Sequence, residues 1–323
     1  MNYRKFGKTS WQVSEIGYGM WGLAGWKEGD DKEAQASLEL AVESGCNFFD
    51  TAWGYAEGES ERILGRLIKK YPHKKLYAAT KIPPKNFKWP SKKEYDLKDC
   101  FPASHIIEYT EKSLKNLQLE TIDLMQFHVW EDGWADQEEW QKAVEKLKKE
   151  GKIQAMGISV NRWEPTNCIN SLKTGLIESV QVIYNIFDQA PEDELFPICD
   201  KLGIGIIARV PFDEGTLTGN LTKDTKFPDG DWRGTYFVPE NLIPSVERAD
   251  KLKPIVPAGM TLPELALRFI LSNKSVSTII PGMRKRSNAK ANLATSEKGK
   301  LDDALLKTLK GHRWDRTPTS WSQ

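Results

Sequence analysis

The sequence predicts a (β/α)8 TIM barrel with a short N-terminal β-hairpin, laid out as a single domain over residues 1–323. Two observations carry this reading. Short apolar runs alternate eight times with amphipathic segments of helical period, joined mostly by short connections. No linker, low-complexity stretch or composition shift divides the chain, and its 39% hydrophobic residues suffice for one large core.

The turn Gly7-Lys8-Thr9-Ser10, flanked by residues 3–6 and 12–13, gives the hairpin. Strands are expected over 15–19, 47–50, 76–81, 121–128, 153–159, 179–184, 205–209 and 277–280. The first helix, over 31–44, puts Ala34, Leu38, Ala41 and Val42 on one face. Ser60 and Ser104 read as N-caps of helices over 60–70 and 104–117. Further helices are expected over 137–150, 164–173, 192–202, 261–271 and 287–294, with a terminal one near 302–310. Pro83-Pro84 halts the third strand, and a Gly/Pro/Asp-containing stretch follows the seventh as far as about Pro244.

Composition excludes several classes of function. Lys+Arg 46 against Asp+Glu 45 leaves a formal charge of +1, without the basic excess of a nucleic-acid binder. The start MNYRKFGKTS lacks an apolar signal core, and no run approaches a membrane span, so a cytoplasmic protein with no membrane partner is expected. Cys46, Cys100, Cys168 and Cys199 lie far apart without a CxxC pair, and read as free thiols in a reducing compartment rather than metal ligands.

Gly17-Tyr18-Gly19-Met20-Trp21-Gly22 matches the G-x-G-x-x-G fingerprint of dinucleotide-binding Rossmann folds. That fingerprint needs a helix opening at once and an acid ending the next strand about 20 residues on. Here the segment 23–29 delays the helix and Asp50 comes too late, so the glycines read instead as letting backbone approach a ligand at the first strand's end.

The chemistry concentrates around Asn47–Glu61, a run in which a strand ends at Asp50 and a loop carries Tyr55. Lys81 ends the third strand and His128 the fourth, and in a barrel such ends ring one mouth. Singly, these residues read as a structural ion pair, a loop aromatic and a core histidine; together, on three successive strand ends, they form a tunable acid. A free phenol, with a pKa of about 10, protonates an alkoxide poorly at neutral pH. A lysine about 4 Å away would favour the phenolate by about 4 kcal/mol at an effective dielectric near 20. That corresponds to lowering the phenol by roughly 3 units. Asp50 would keep Lys81 charged, and His128 would hydrogen-bond a carbonyl oxygen beside the phenol. Such a site reduces a carbonyl if a hydride donor lies opposite.

These residues carry a resemblance. Asp50-Thr51-Ala52-x-x-Tyr55, Gly58-x-Ser60-Glu61-x-x-Leu64-Gly65, Thr80-Lys81 and Phe127-His128 are similar to motifs of the aldo-keto reductase superfamily. So are Gly157-Ile158-Ser159, Gln181-x-x-Tyr184-Asn185 and Ile280-Pro281-Gly282, and the matches run in family order over nearly the whole chain. The resemblance implies an NADP(H)-dependent reductase of small-molecule aldehydes and ketones, with NAD(H) possible, in which Tyr55 is the acid/base and Asp50, Lys81 and His128 support it. It also implies nicotinamide contacts from Ser159, Asn161 and Gln181, and ribose contacts from Met20, Trp21 and Asp50. Arg209-Val210-Pro211-Phe212 would cradle the nicotinamide and pyrophosphate, and Gly282, Arg284, Asn288 and Asn292 the adenosine phosphate.

The sequence departs from that pattern in four places. Arg209 stands where an aromatic is common, adding charge near a ring that becomes cationic on oxidation. Asn161 comes one place late, after Val160, and Asn288 and Ala291 are short for adenine contacts. Arg284, Lys285 and Arg286 could pair with a 2′-phosphate, favouring NADP, or form a basic, solvated helix start. Trp21, Trp53 and Trp130 follow strand ends and are expected to line the substrate pocket, with Trp89 on a nearby loop over 85–98 that reads either as a lid or as a solvated excursion. The competing reading is a nucleotide-binding regulatory module like the potassium-channel β subunits that share this fold. The sequence leaves the oligomeric state and the natural substrate open.

Overall fold

The N-terminal turn joins an antiparallel pair, β1 (Tyr3–Lys5) and β2 (Gln12–Ser14). In the computed structural model, which describes residues 1–23 and 31–322, eight parallel strands then pair in sequence order. They are β3 (Tyr18–Gly19), β4 (Phe48–Asp50), β5 (Tyr77–Ile82), β6 (Ile122–Phe127), β7 (Ile153–Ser159), β8 (Ser179–Ile183), β9 (Gly205–Arg209) and β10 (Val276–Ile279). Bridges from Ile16 to Ile279 and from Gly19 to Gly282 bring the last strand back to the first and close the barrel.

That closure explains the early glycines. A Cβ on Gly19 would lie 2.6 Å from the Ile280 carbonyl oxygen, and one on Gly17 2.9 Å from that of Phe48. Gly17 and Gly19 therefore let neighbouring strands approach each other, while a Cβ on Gly22 would meet nothing within 4 Å. A single 3-10 turn, Trp21–Leu23, follows them. Residues 24–29 of the interrupted fingerprint lie outside the described residues.

Two apolar cores follow from the strand alternation. Inside the barrel, Phe48, Ala79, Leu124, Ala155 and Ile207 form one layer, closed from below by Phe6, Trp11 and Val13 of the hairpin. Phe6 stacks on Phe48 with ring centres 5.6 Å apart, and a Cβ on Gly205 would meet its ring at 2.7 Å. The hairpin therefore plugs the amino-terminal end and leaves the carboxyl end open for a site. Outside, the opposite strand faces pack against helices such as Glu59–Lys70, which buries Leu64 and Leu67.

Several boundaries differ from the sequence expectations, for local reasons. The helix expected to start on Ser60 begins at Glu59 behind Gly58, whose φ of 82° suits glycine. The Ser60 hydroxyl instead accepts from Thr51 Oγ1 at 2.7 Å and donates to the Met20 carbonyl at 3.3 Å. Ser104 is not a cap either, since that helix is Ala103–Leu117 behind Pro102. The segments over 164–173 and 192–202 shorten to Ile169–Lys173 and Leu195–Leu202. The stretch after β9 contains the helices Arg233–Tyr236 and Pro239–Leu252, and Pro244 lies within the second. Thr261 does cap its helix, accepting from the Glu264 N–H at 3.2 Å. The four cysteines are buried free thiols, and no helix among the described residues is long and apolar enough to cross a membrane.

Candidate active site

Asp50, Lys81, Gln126 and Arg209 each stand two residues after a member of the interior apolar layer: Phe48, Ala79, Leu124 and Ile207. A strand repeats its facing every second residue, so these polar side chains enter the barrel just above that layer, at its carboxyl end. The register agrees, with Lys81 opposite Gln126 and Asp50 opposite Ala79.

The structure brings all four expected catalytic residues together. Lys81 Nζ donates to Asp50 Oδ2 at 2.6 Å, to the Thr51 carbonyl at 2.8 Å and toward Tyr55 Oη at 3.4 Å. Lys81 and Asp50 are only 1% and 2% exposed, so their pairing is what keeps two charges tolerable there. The second Asp50 oxygen accepts from Gln181 Nε2 at 2.7 Å and from Gln126 Nε2 at 3.1 Å. His128 meets the Tyr55 ring edge-on, with centres 5.7 Å apart.

Burial opposes the charge on Lys81, but Asp50 and Tyr55 outweigh it and hold the ammonium above its ordinary value. For Tyr55, burial raises the phenol and Lys81 pulls it down without cancelling the rise, so it stays above its ordinary value. This corrects the sequence expectation of a lowered phenol, which counted the cation and omitted desolvation. Burial, aided by Lys81 and Arg209, pushes His128 well below 6.5, so the imidazole is neutral at physiological pH. Burial and nearby Arg162 bring Arg209 down to about 10, which leaves it charged.

The expected pocket tryptophans fall in three different places. Trp21 is 43% exposed at the rim and meets Trp232 edge-on at 5.0 Å. Trp53 lies against Tyr109 and Phe87, at 4.8 and 6.2 Å between ring centres. Trp130 is not at the mouth at all. It is fully buried between Phe127, Trp134 and Trp140, with its indole N–H on Ser171 Oγ at 2.8 Å. The chain after β6 turns this ring back into the helix layer. Trp89 lies edge-on to His128 at 5.8 Å, beside Phe87.

Among the residues expected near a nucleotide, Ser159 and Pro211 are buried, Phe212 packs on the core, and Gly282 and Asn288 are exposed. Met20 is buried, its N–H donating to the Asp50 carbonyl at 2.9 Å. Gln181 directs its amide N–H2 at Asp50, so it braces the acid. Asn161 Nδ2 donates outward, to Glu164 Oε2 at 2.8 Å and to the Ser91 carbonyl at 3.1 Å, leaving Oδ1 a buried acceptor without a partner. Arg209 Nη2 donates to the Val160 carbonyl at 3.1 Å, and Val210 follows it with a φ of 54°. Arg284 is part-buried and Asn292 buried on the helix Arg286–Ala294 or just before it. A nicotinamide nucleotide fits these residues: the unpaired Asn161 acceptor suits a carboxamide N–H, and at the end expected to take the adenosine phosphate nothing lies within 4 Å of a Cβ built on Gly282.

Sequence reasoning missed Gln126 as a support for Asp50 and Arg162 and Arg316 as charges behind the rim. The signal for Gln126 was present, two residues before His128 on the inward face. Arg316 carried no such signal, since its partners lie more than a hundred residues away.

The family model described as "Aldo/keto reductase family" matches residues 15–313. An Escherichia coli K12 protein named NADH-specific methylglyoxal reductase is 29% identical over 306 residues, covering 89% of this chain and 91% of that relative. A probable voltage-gated potassium channel subunit beta of Arabidopsis thaliana is 29% identical over 314 residues, covering 91% and 90%. Among solved structures, the glycerol dehydrogenase AKR11B4 from Gluconobacter oxydans matches with a TM-score of 0.79 and 26% identity, covering 96% of this chain and 94% of that one.

Proposed function

Because the chain belongs to the aldo/keto reductase family, whose members are oxidoreductases acting on carbonyls with nicotinamide cofactors, we propose that it is an NADP(H)-dependent reductase of small aldehydes and ketones, with Tyr55 as general acid. One observation carries this: the lysine paired to Asp50 at 2.6 Å also stands 3.4 Å from the Tyr55 oxygen, at the open end of the barrel.

A nicotinamide, when bound, would supply the hydride. Tyr55 gives its proton to the carbonyl oxygen as negative charge develops there, and Lys81 stabilises the phenolate left behind. Asp50, braced by Gln126 and Gln181, keeps Lys81 charged and aimed. Neutral His128 directs a ring N–H at the same oxygen without adding a competing proton source. Trp21, Trp89 and Phe87 offer an apolar wall for the rest of the substrate. Ser159, Asn161 and Arg209 would hold the nicotinamide end, and Gly282, Arg284, Asn288 and Asn292 the adenosine end. The names of the Escherichia coli relative and the Gluconobacter structure support a small, oxygen-rich substrate.

The preference for NADP rests on charge. Among the described residues neither Arg284 nor Lys285 is ion-paired, whereas Arg286 is held by Glu33 at 3.2 Å. Two unneutralised cations beside the adenosine end suit a 2′-phosphate. NAD(H) is the alternative, supported by the name of the Escherichia coli relative. Titrating both reduced nucleotides, then mixing each complex with small aldehydes in a stopped flow, tests the reading. Oxidation of bound NADPH supports it; tight binding without oxidation by any carbonyl favours the second reading, a regulatory module, which the Arabidopsis relative supports.

A further inference from the structure

The loop that follows β9 is strained. Val210, Asp213 and Glu214 have φ of 54°, 47° and 56°, in the left-handed region where a β-branched residue is a rare outlier. Such a conformation is unfavourable for a residue with a side chain and persists only where the surroundings enforce it. The loop begins at Arg209, whose guanidinium acts electrostatically on Tyr55 and His128, so its conformation places a charge beside the proposed acid.

Two arginines enforce it, Arg162 half-buried and Arg316 with its side chain buried. Arg162 Nη2 holds Glu214 Oε1 at 2.6 Å. Arg316 arrives from the C-terminal tail and holds Asp213 Oδ1 at 2.7 Å. The same guanidinium grips both oxygens of Asp188, with Nε at 3.1 Å from Oδ1. Asp188 in turn accepts from Asn185 Nδ2 at 2.9 Å, which also donates to the Val210 carbonyl at 3.0 Å. Arg316 thus ties both ends of the strained loop, Asp213 directly and Val210 through Asp188 and Asn185. It is 3% exposed, and its guanidinium lies 4.6 Å from the ring centres of both Trp163 and Trp314. The tail itself is fixed, with the Trp314 N–H on the Phe187 carbonyl at 2.8 Å.

We propose that Arg316 is a positioning residue that latches residues 210–215 in their strained conformation and thereby holds Arg209 in place at the mouth. A C-terminal segment far from the chemistry in sequence then sets the geometry of the loop that borders it. Removing a tie lets the loop relax toward ordinary φ values, and Arg209 leaves its position. The consequence for catalysis rests on the reductase reading above, whereas the latch does not depend on it.

Hydrogen exchange followed by mass spectrometry on the full chain, with no nucleotide, tests the latch. Asp213→Asn keeps the shape and removes the charge on the tie, while leaving the Arg316–Asp188 pair intact. Arg316→Lys keeps the charge and gives up the fork of donors. In each variant, amides over 209–219 should exchange about tenfold faster or more, while β6 and β7 keep wild-type protection. The dissociation constant for NADPH should rise about fivefold or more, the scale of a modest coupling between loop and ligand. Loop exchange at the wild-type rate in both variants overturns the proposal, as does an acceleration spread evenly over the barrel, which marks a merely structural ion cluster. Because exchange needs no carbonyl, an absence of reductase activity leaves this test standing.

Discussion

The Lys81 ammonium stands 3.4 Å from the Tyr55 oxygen and 5.1 Å from the centre of its ring, buried and held from the far side by Asp50. The phenol therefore titrates under two opposed influences, burial raising it and the cation lowering it.

Lys81→Met removes the lowering influence, so the phenol should rise further. Reduction, which leaves a phenolate that Lys81 no longer stabilises, should slow without gaining a pH dependence up to pH 10, while alcohol oxidation, which needs the phenolate, should fall at every pH below the new value. Measuring both directions from pH 6 to 10 checks the sign. The same substitution strands the Asp50 carboxylate, and unfolding should cost about 3–5 kcal/mol less. Lys81→Met combined with Asp50→Asn should recover much of that stability and none of the rate.

His128 is neutral in the fold to well below 6.5, whereas the unfolded chain takes up a proton near that value. The unfolded state therefore binds more protons as pH falls below about 6.5, and stability falls with it, by up to roughly 1.4 kcal/mol per pH unit from this group. Denaturant midpoints between pH 5 and 7 should show a shallower acid limb in His128→Gln. Part of the slope should remain, because burial also holds His105 and His312 below 6.5.

Gly157 leaves the room that Gln126 needs to reach Asp50. A Cβ there would lie 2.5 Å from Ser179 Oγ and 3.0 Å from Gln126 Cγ. Gly157→Ala should destabilise by about 1–3 kcal/mol, the usual scale of overpacking. It should also lower turnover by more than tenfold, since displacing a brace on the acid by a fraction of an ångström misaligns the whole set. Adding Ser179→Ala, which deletes a buried hydroxyl without a partner, should restore part of both, as urea titration and steady-state rates would report.

How much of this the sequence held depends on the range of the forces involved. The strands over 153–159 and 205–209 match β7 and β9 residue for residue, because a buried parallel strand writes a continuous apolar run. Asp50, Lys81 and His128 were legible because strand ends converge by topology alone. Ser60 and Ser104 misled as caps because a serine's local signal is the same whether its hydroxyl bonds its own helix or, as for Ser60, another strand's loop. Trp130 misled because alternation says nothing of which way a loop turns after a strand ends. The Arg316 latch was invisible, since a tail arginine pairs with Asp188 and Asp213 only once the whole barrel is closed.

The proton-donor role of Tyr55 has its most direct test in a single turnover of the NADPH-loaded protein with excess aldehyde, wild type against Tyr55→Phe. The account predicts that the variant binds NADPH with a dissociation constant within about twofold of wild type, while hydride transfer slows by at least about a hundredfold. A transfer rate close to wild type in Tyr55→Phe would contradict it.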